Sequence, residues 1–261
     1  MKKILVFLAL FLVFVSIGAV SAEGNFTDLK TGIDASTDTL EITQNYVYDN
    51  TSDDELNEGI IINKNNYMIN GNGYTIDGAN QARIFKIIGQ NITILNLNLI
   101  NGYSDDSEVG GGAILSEATL NLKNVTFTNN YARTGGSADL RNVTSISNCR
   151  FINSNAKFGG GIYSTVEVNV SNSEFIDSAS KYAAAIYAEN NLTLFNSTFK
   201  NLAAEETAGA IGVKEINLVS VESCSFINTT AIKNGGAIYL DAGSDEEKFR
   251  TVLISNTSFT N

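Results

Sequence analysis

The 261-residue chain has no histidine, no proline and no tryptophan, and only two cysteines. The lack of histidine removes the commonest general base and a usual metal ligand. The lack of proline leaves every strand position with its backbone donor, as strands paired on both sides require. Positive charge is also scarce: 17 Lys and Arg stand against 28 Asp and Glu, a net charge of −11. The basic residues form no cluster, which argues against a nucleic-acid partner. After residue 22 no apolar stretch is long enough to span a membrane. No stretch after residue 23 shows a 3.6-residue apolar period long enough for a helix, so none is expected.

What the chain has is a repeat. Phe127, Phe151, Phe175 and Phe199 stand 24 residues apart, and Phe226 and Phe259 continue them at looser spacing. A second phrase keeps the same beat. It runs through Gly111-Gly112-Ala113-Ile114, Gly135-Gly136-Ser137-Ala138, Gly159-Gly160-Gly161-Ile162 and Ala183-Ala184-Ala185-Ile186, and returns at Ala208 and Gly235. A fixed period of this length is the signature of a solenoid.

Inside each repeat the strand signals are short, alternating and β-branched, and Asn, Gly and Ser clusters separate them. Twenty-four residues suit about three short strands at about 3.3 Å per residue, and stacked copies lie about 4.8 Å apart. The fold class is therefore all-β, a single-stranded parallel β-helix with about 24 residues per coil. Asn precedes the aromatic by three residues at Asn96, Asn124, Asn148, Asn172, Asn196 and Asn256, with Ser223 the exception. It follows by two at Asn101, Asn129, Asn153, Asn201, Asn228 and Asn261, with Asp177 in the gap. Asn tolerates a left-handed backbone at a turn, and stacked amides can bond along the axis. Ile76 and Leu99 read as degenerate copies of the phenylalanine, giving eight rows.

Residues 1–22 read as a signal peptide: Lys2 and Lys3, an apolar run from Ile4 to Val15, and Val20-Ser21-Ala22 before Glu23. Residues 23–55 are assigned to an irregular N-terminal cap and residues 56–261 to the β-helix. The chain stops at Asn261 inside a repeat phrase, so missing C-terminal repeats or an anchor are expected. Export places the protein outside the cell or at its surface. Losing Lys2 and Lys3 takes the charge from −11 to −13. Cys149 and Cys224 each lie two residues before a phenylalanine and three rows apart. That is about 14 Å at the strand spacing, too far for a disulfide, so both are expected buried and reduced. Ten Asn-x-Ser/Thr sequons occur, and several coincide with the Asn columns.

The alternating Gly-Gly-Ala-Ile and Phe-x-x-Asn phrases resemble the repeat of chlamydial polymorphic outer-membrane proteins; Phe127-x-x-Asn130 meets the second phrase strictly. The segment from Tyr67-Met68-Ile69-Asn70-Gly71 through Thr75-Ile76-Asp77-Gly78, with Arg83-Ile84-Phe85 and Asn91-Ile92-Thr93-Ile94, is similar to the opening coils of another group. These are adhesin-like right-handed parallel β-helix proteins of methanogenic archaea. The resemblance implies a pectate-lyase-like fold, a cell-surface location and an adhesive role toward a carbohydrate or protein of another cell or matrix. The membrane β-barrel that ends the chlamydial proteins is missing here, and the archaeal proteins are commonly much longer.

The rival reading is a polysaccharide-degrading lyase or hydrolase. The chain has no set like the Asn-Thr-Asp, Asp-Asp, Gly-His-Gly and Arg-Ile-Lys motifs of polygalacturonases. The pairs Asp53-Asp54 and Asp105-Asp106 lie in polar loop text, whereas glycosidase carboxylates must face one another across a cleft. Arg133, Lys157 and Lys181 form a basic column expected to face solvent at a turn. An ice-binding Thr-x-Thr file begins at Thr126 and Thr128 but breaks at Glu174 and Ile176. No catalytic, cofactor-binding or metal-binding residue is assigned and no cofactor is expected. Two insertions, residues 103–109 and 241–249, extend individual coils and offer loops for a partner.

Overall fold

The computed structural model describes residues 23–106, 108–215, 217–241, 243 and 250–261. The signal-peptide assignment and most of the 241–249 insertion lie outside the described residues. Among the described residues no helix is long and apolar enough to cross a membrane.

The chain winds as a parallel β-solenoid. One file of eight strands runs from Ile60–Ile62 through Ile114–Ser116, Ala138–Leu140, Ile162–Ser164 and Ile186–Ala188 to Ile238–Asp241. The remaining faces form one continuous sheet, in which Thr144–Ser147 pairs with Val168–Ser171 and Arg150–Ile152 with Glu174–Ile176. All of these pairings are parallel and in register by whole coils, so each residue faces its counterpart one repeat away: Phe127, Phe151, Phe175, Phe199, Phe226 and Phe259 are successive partners.

Register fixes the core. The six phenylalanine rings stack almost parallel at centroid spacings of 4.7, 4.6, 5.0, 4.7 and 4.9 Å. Those from Phe127 to Phe226 are no more than 1 % exposed, whereas Phe259 is 52 % exposed. Leu99 and Ile76 extend the same column, as expected, and Tyr46 adds one further row. The coils turn where Asn stands: Asn96, Asn124, Asn148, Asn172 and Asn196 before the aromatic, and Asn101, Asn129, Asn153 and Asn201 after it, all have φ between 45 and 56°. Asn accepts this left-handed backbone at lower cost than most residues. The amides also bond along the axis, Asn124 to Asn96 and Asn196 to Asn172 at 2.8 Å, Asn153 to Asn129 at 2.8 Å and Asn228 to Asn201 at 3.0 Å.

The glycine phrase forms a corner. Gly135 has φ +56°, and a Cβ there would lie 2.0 Å from the Ala138 carbonyl oxygen. Ala183 and Ala208 hold the same left-handed backbone with φ of 55 and 65°, conformations that cost an alanine about 1 kcal/mol or more.

The N-terminal region corrects the expectation that the chain contains no helix. Helix α1 (Phe26–Ala35) buries Phe26, Leu29 and Ile33, and Asn25 and Asp28 close a capping box on its first turn. Residues 23–55 also hold the strands Thr39–Glu41 and Tyr46–Val47, which pair in parallel with Met68–Asn70 and Thr75–Asp77. Stacking therefore begins within that region, above which the helix lies.

Both cysteines are buried and free. They share a column with Ser173 and Ser197, whose hydroxyls accept from the backbone N–H of Cys149 and of Ser173, both at 3.1 Å. The Cys149 thiol donates to the Ser147 carbonyl at 3.3 Å, as the Ser173 hydroxyl does to Ser171 at 2.7 Å. Cysteine here stands in for serine. Burial pushes the Cys149 thiol up to about 11 from the usual 9.0. A folded-state value above the unfolded one means that stability is complete below pH 9 and falls as pH rises toward 11, by about 3 kcal/mol in all. The alkaline limb of the stability–pH curve should flatten in Cys149→Ser, measured by urea unfolding between pH 8 and 11. Alkylating reagents should label the native protein at neither cysteine at pH 7. Rapid labelling of Cys149 would contradict its burial.

Candidate functional site

The acidic pairs do not converge on a catalytic site. Asp53, read as a solvated loop residue, is instead buried. Its carboxylate accepts from the backbone N–H of Phe26 (3.0 Å), Thr27 (2.9 Å) and Asp49 (3.0 Å), tying α1 to the loop below it. Asp54 opens a short 3-10 turn, Asp54–Leu56. Asp105 is exposed. Asp106 turns back into its own loop, and the N–H groups of Glu108 and Val109, with the charges of Arg83 and Arg141, hold its carboxyl below the usual range.

Two buried charges brace the same region, neither anticipated from sequence. Arg83 is 1 % exposed. Its guanidinium donates to the carbonyls of Gly111 (3.1 Å) and Glu58 (2.8 Å), the Glu58 carboxylate (3.1 Å) and the Ser104 hydroxyl (2.8 Å). Asp139 is fully buried and accepts from Gly110 N–H (3.0 Å), Thr134 Oγ1 (2.8 Å) and Arg141 Nε (3.2 Å). These charges clamp the base of the 103–109 insertion to the solenoid.

The basic column is real, but its members do more than face water. Lys157 and Lys181 place their ammonium groups over the rings of Phe158 and Tyr182, 5.2 and 5.5 Å from the centroids. One row on, Glu206 takes the column's place, lying 3.9 Å from Lys181 and pairing with Lys233.

Those rings lead to the most distinctive surface of the molecule. Phe158 and Tyr182 stack at 4.9 Å along one edge of the glycine corner. Along the other edge, Tyr163 and Tyr187 stack at 5.9 Å, and Tyr239 continues their file two rows further on. The files meet across the corner, where Phe158 and Tyr187 make an edge-to-face contact at 5.3 Å. The backbone makes this possible: the left-handed Gly159 and Ala183 turn the chain sharply, and the small residues beyond them bring two outward-facing rows close together.

The row between Tyr187 and Tyr239 is different. Gly212 occupies the tyrosine position, and Thr207 occupies the position of Tyr182 in the facing file. The Phe158–Tyr182 wall thus ends at the level where the tyrosine wall is interrupted, leaving a notch of about 350 Å³. Beside it runs a file of charges: Lys214 stands in strand register with Asp241 of the next row, and Glu215 lies 3.9 Å from the Lys214 ammonium. Burial pushes the Tyr187 hydroxyl up to about 12, with Glu189 and Asp241 adding to the shift. Burial raises Tyr163 further, helped by the hydrogen bond it shares with Glu189. Both phenols are therefore neutral donors at physiological pH. The arrangement offers apolar ring faces, hydroxyl donors and carboxylate acceptors in one concave surface. Among the described residues no group of three or more His, Cys, Asp or Glu is placed to hold a metal ion.

No family model matches the chain. No curated protein matches it either. Among solved structures it is similar to the L. reuteri 53608 SRRP, at 14% identity and a TM-score of 0.42 over 91% of this chain and 98% of that one. It is also similar to alginate lyase AlyF-OU02 in complex with G6, at 13% identity and a TM-score of 0.39 over 90% and 63% of the two chains. A third is endo-xylogalacturonan hydrolase from Aspergillus tubingensis, at 11% identity and a TM-score of 0.33 over 85% of each.

Proposed function

We propose that this chain is an exported, non-catalytic, adhesin-like module that binds carbohydrate of another cell or surface through its aromatic corner. The observation that carries the reading is the pair of facing ring files, Phe158 with Tyr182 and Tyr163 with Tyr187, half-buried along a rigid edge. Sugar rings carry apolar faces rimmed by hydroxyls, and aromatic faces beside polar donors and acceptors are the complementary surface. The chemistry of the chain supports binding over turnover. It has no histidine, and its most buried charges, Arg83, Asp139 and Asp53, are saturated by scaffold hydrogen bonds. Export by residues 1–22 and a place at the cell surface, with sequence relatives among the archaeal adhesin-like proteins, complete the proposal.

The test is retention of the intact protein on a panel of immobilised plant and microbial polysaccharides and on whole cells. Tyr182→Ala and Tyr163→Ala should each weaken retention about tenfold, roughly the loss of one stacked contact. Release of reducing ends or unsaturated sugars, with or without Ca²⁺, would overturn the non-catalytic reading.

A further inference from the structure

Three features of the Gly212 notch set what it can hold. The first is its thickness. Tyr187 and Tyr239 sit two rows apart, about 9.6 Å at the strand spacing. Tyr187 lies 5.9 Å from Tyr163 and reaches to within 3.3 Å of where a Gly212 Cβ would be, so it leans into the gap. What remains is on the order of 8–9 Å, two carbon–carbon contacts of about 4 Å with one layer of atoms between them. A single puckered saturated ring fills that space.

The second feature is closure. Tyr187 and Tyr239 wall the notch along the solenoid axis, Gly212 floors it, and Thr207 with Tyr182 bounds the facing side. A ring lying in the plane of the row can send its substituents outward only. A glycan cannot thread along the axis without passing through a tyrosine.

The third feature is charge. Lys214 stands in one outward file with Glu189 before it and Asp241 after it, and Glu215 lies beside it. On the facing side Lys181 lies over the Tyr182 ring and Lys233 pairs with Glu206, so four carboxylates stand against three ammoniums, a net negative charge that disfavours an anionic ligand while offering acceptors to hydroxyls.

We infer that the Gly212 notch is a subsite for one uncharged pyranose at the exposed end of a glycan, held between Tyr187 and Tyr239. This inference rests on the carbohydrate-binding reading above and narrows it to a residue, an orientation and a charge class. Affinity is then set by the terminal sugar and is independent of chain length, and uronic acids are disfavoured.

The experiment is calorimetric titration of the intact protein with methyl pyranosides of neutral hexoses, N-acetylhexosamines and hexuronates. Linear tri- and hexasaccharides are added, together with adenosine as a flat-ring control. At least one neutral sugar should bind, its trimer and hexamer within about twofold of each other, with the matching uronate weaker by about tenfold or more. Gly212→Tyr restores the missing ring and should abolish this binding. Tyr239→Ala removes one wall and should weaken it about tenfold, which decides the matter if Gly212→Tyr fails to fold. Equal sugar binding by wild type and both variants would overturn the notch while leaving the aromatic corner as a binding face. Affinity that climbs steadily from trimer to hexamer, or preference for the uronate or adenosine, overturns the assigned ligand. Absence of any sugar binding would sink both the notch and the wider reading.

Discussion

Replacing Phe175 by alanine should destabilise the protein by about 3–5 kcal/mol, at the upper end of that range. The ring is fully buried and stacks on both faces, at 4.6 Å on Phe151 and 5.0 Å on Phe199. Its deletion leaves a cavity in a column where no side chain can slide to fill it, because every neighbour is pinned by the same register. Gly161, with no Cβ, packs against the ring and would be left facing the void. The control is Phe259→Ala. That ring keeps one stacked neighbour and is half exposed, so its loss should cost only about 1 kcal/mol. Urea unfolding of the two variants beside wild type measures the difference. Equal costs would show that the ring column is not the principal core.

The second large effect is expected at Arg83. Alanine there leaves the buried acceptors on Gly111 and Ser104 without donors and opens a cavity under the glycine corner. Each unsatisfied buried group costs about 1–3 kcal/mol, so about 3–5 kcal/mol in total is anticipated. The ion pair itself adds little, because the Glu58 side chain is 68 % exposed. Lysine should rescue only part of the loss, since one ammonium cannot reproduce a fork that reaches three directions. Hydrogen exchange should quicken first at the Gly111 and Ser104 amides, which bond across to the Thr134 and Tyr131 carbonyls. Uniform exchange across all rows would argue that Arg83 supports the whole solenoid rather than this loop.

Much of the fold could be read from spacing alone, because the parallel register repeats every physical requirement once per coil. The phenylalanine column, both Asn columns and the row placement of Cys149 and Cys224 all follow from a side chain meeting its own copy. Features that occur once were harder. Helix α1 has only three buried apolar positions in ten residues, too weak a period to stand out, although Asn25 and Asp28 carry a capping signal. Arg83 and Asp139 look like ordinary surface charges until the insertion folds over them. The tyrosine file was obscured by Gly212 itself, which breaks the 24-residue beat of Tyr163 and Tyr187 at the point of greatest interest. A search for residues missing from a column, rather than present in it, would have found the notch.

The in-register hydrogen bonds between rows also set how the rod answers a pull. They run along the axis, so tension applied between two distant rows loads the rows in series, and the weakest peels first. Each released coil of about 24 residues can extend to about 80 Å, against the 4.8 Å it occupied when stacked. Under load such a rod behaves as a spool: it yields length in even steps while the coils still wound keep their ring files intact. A rod built this way absorbs a sudden tug by lengthening.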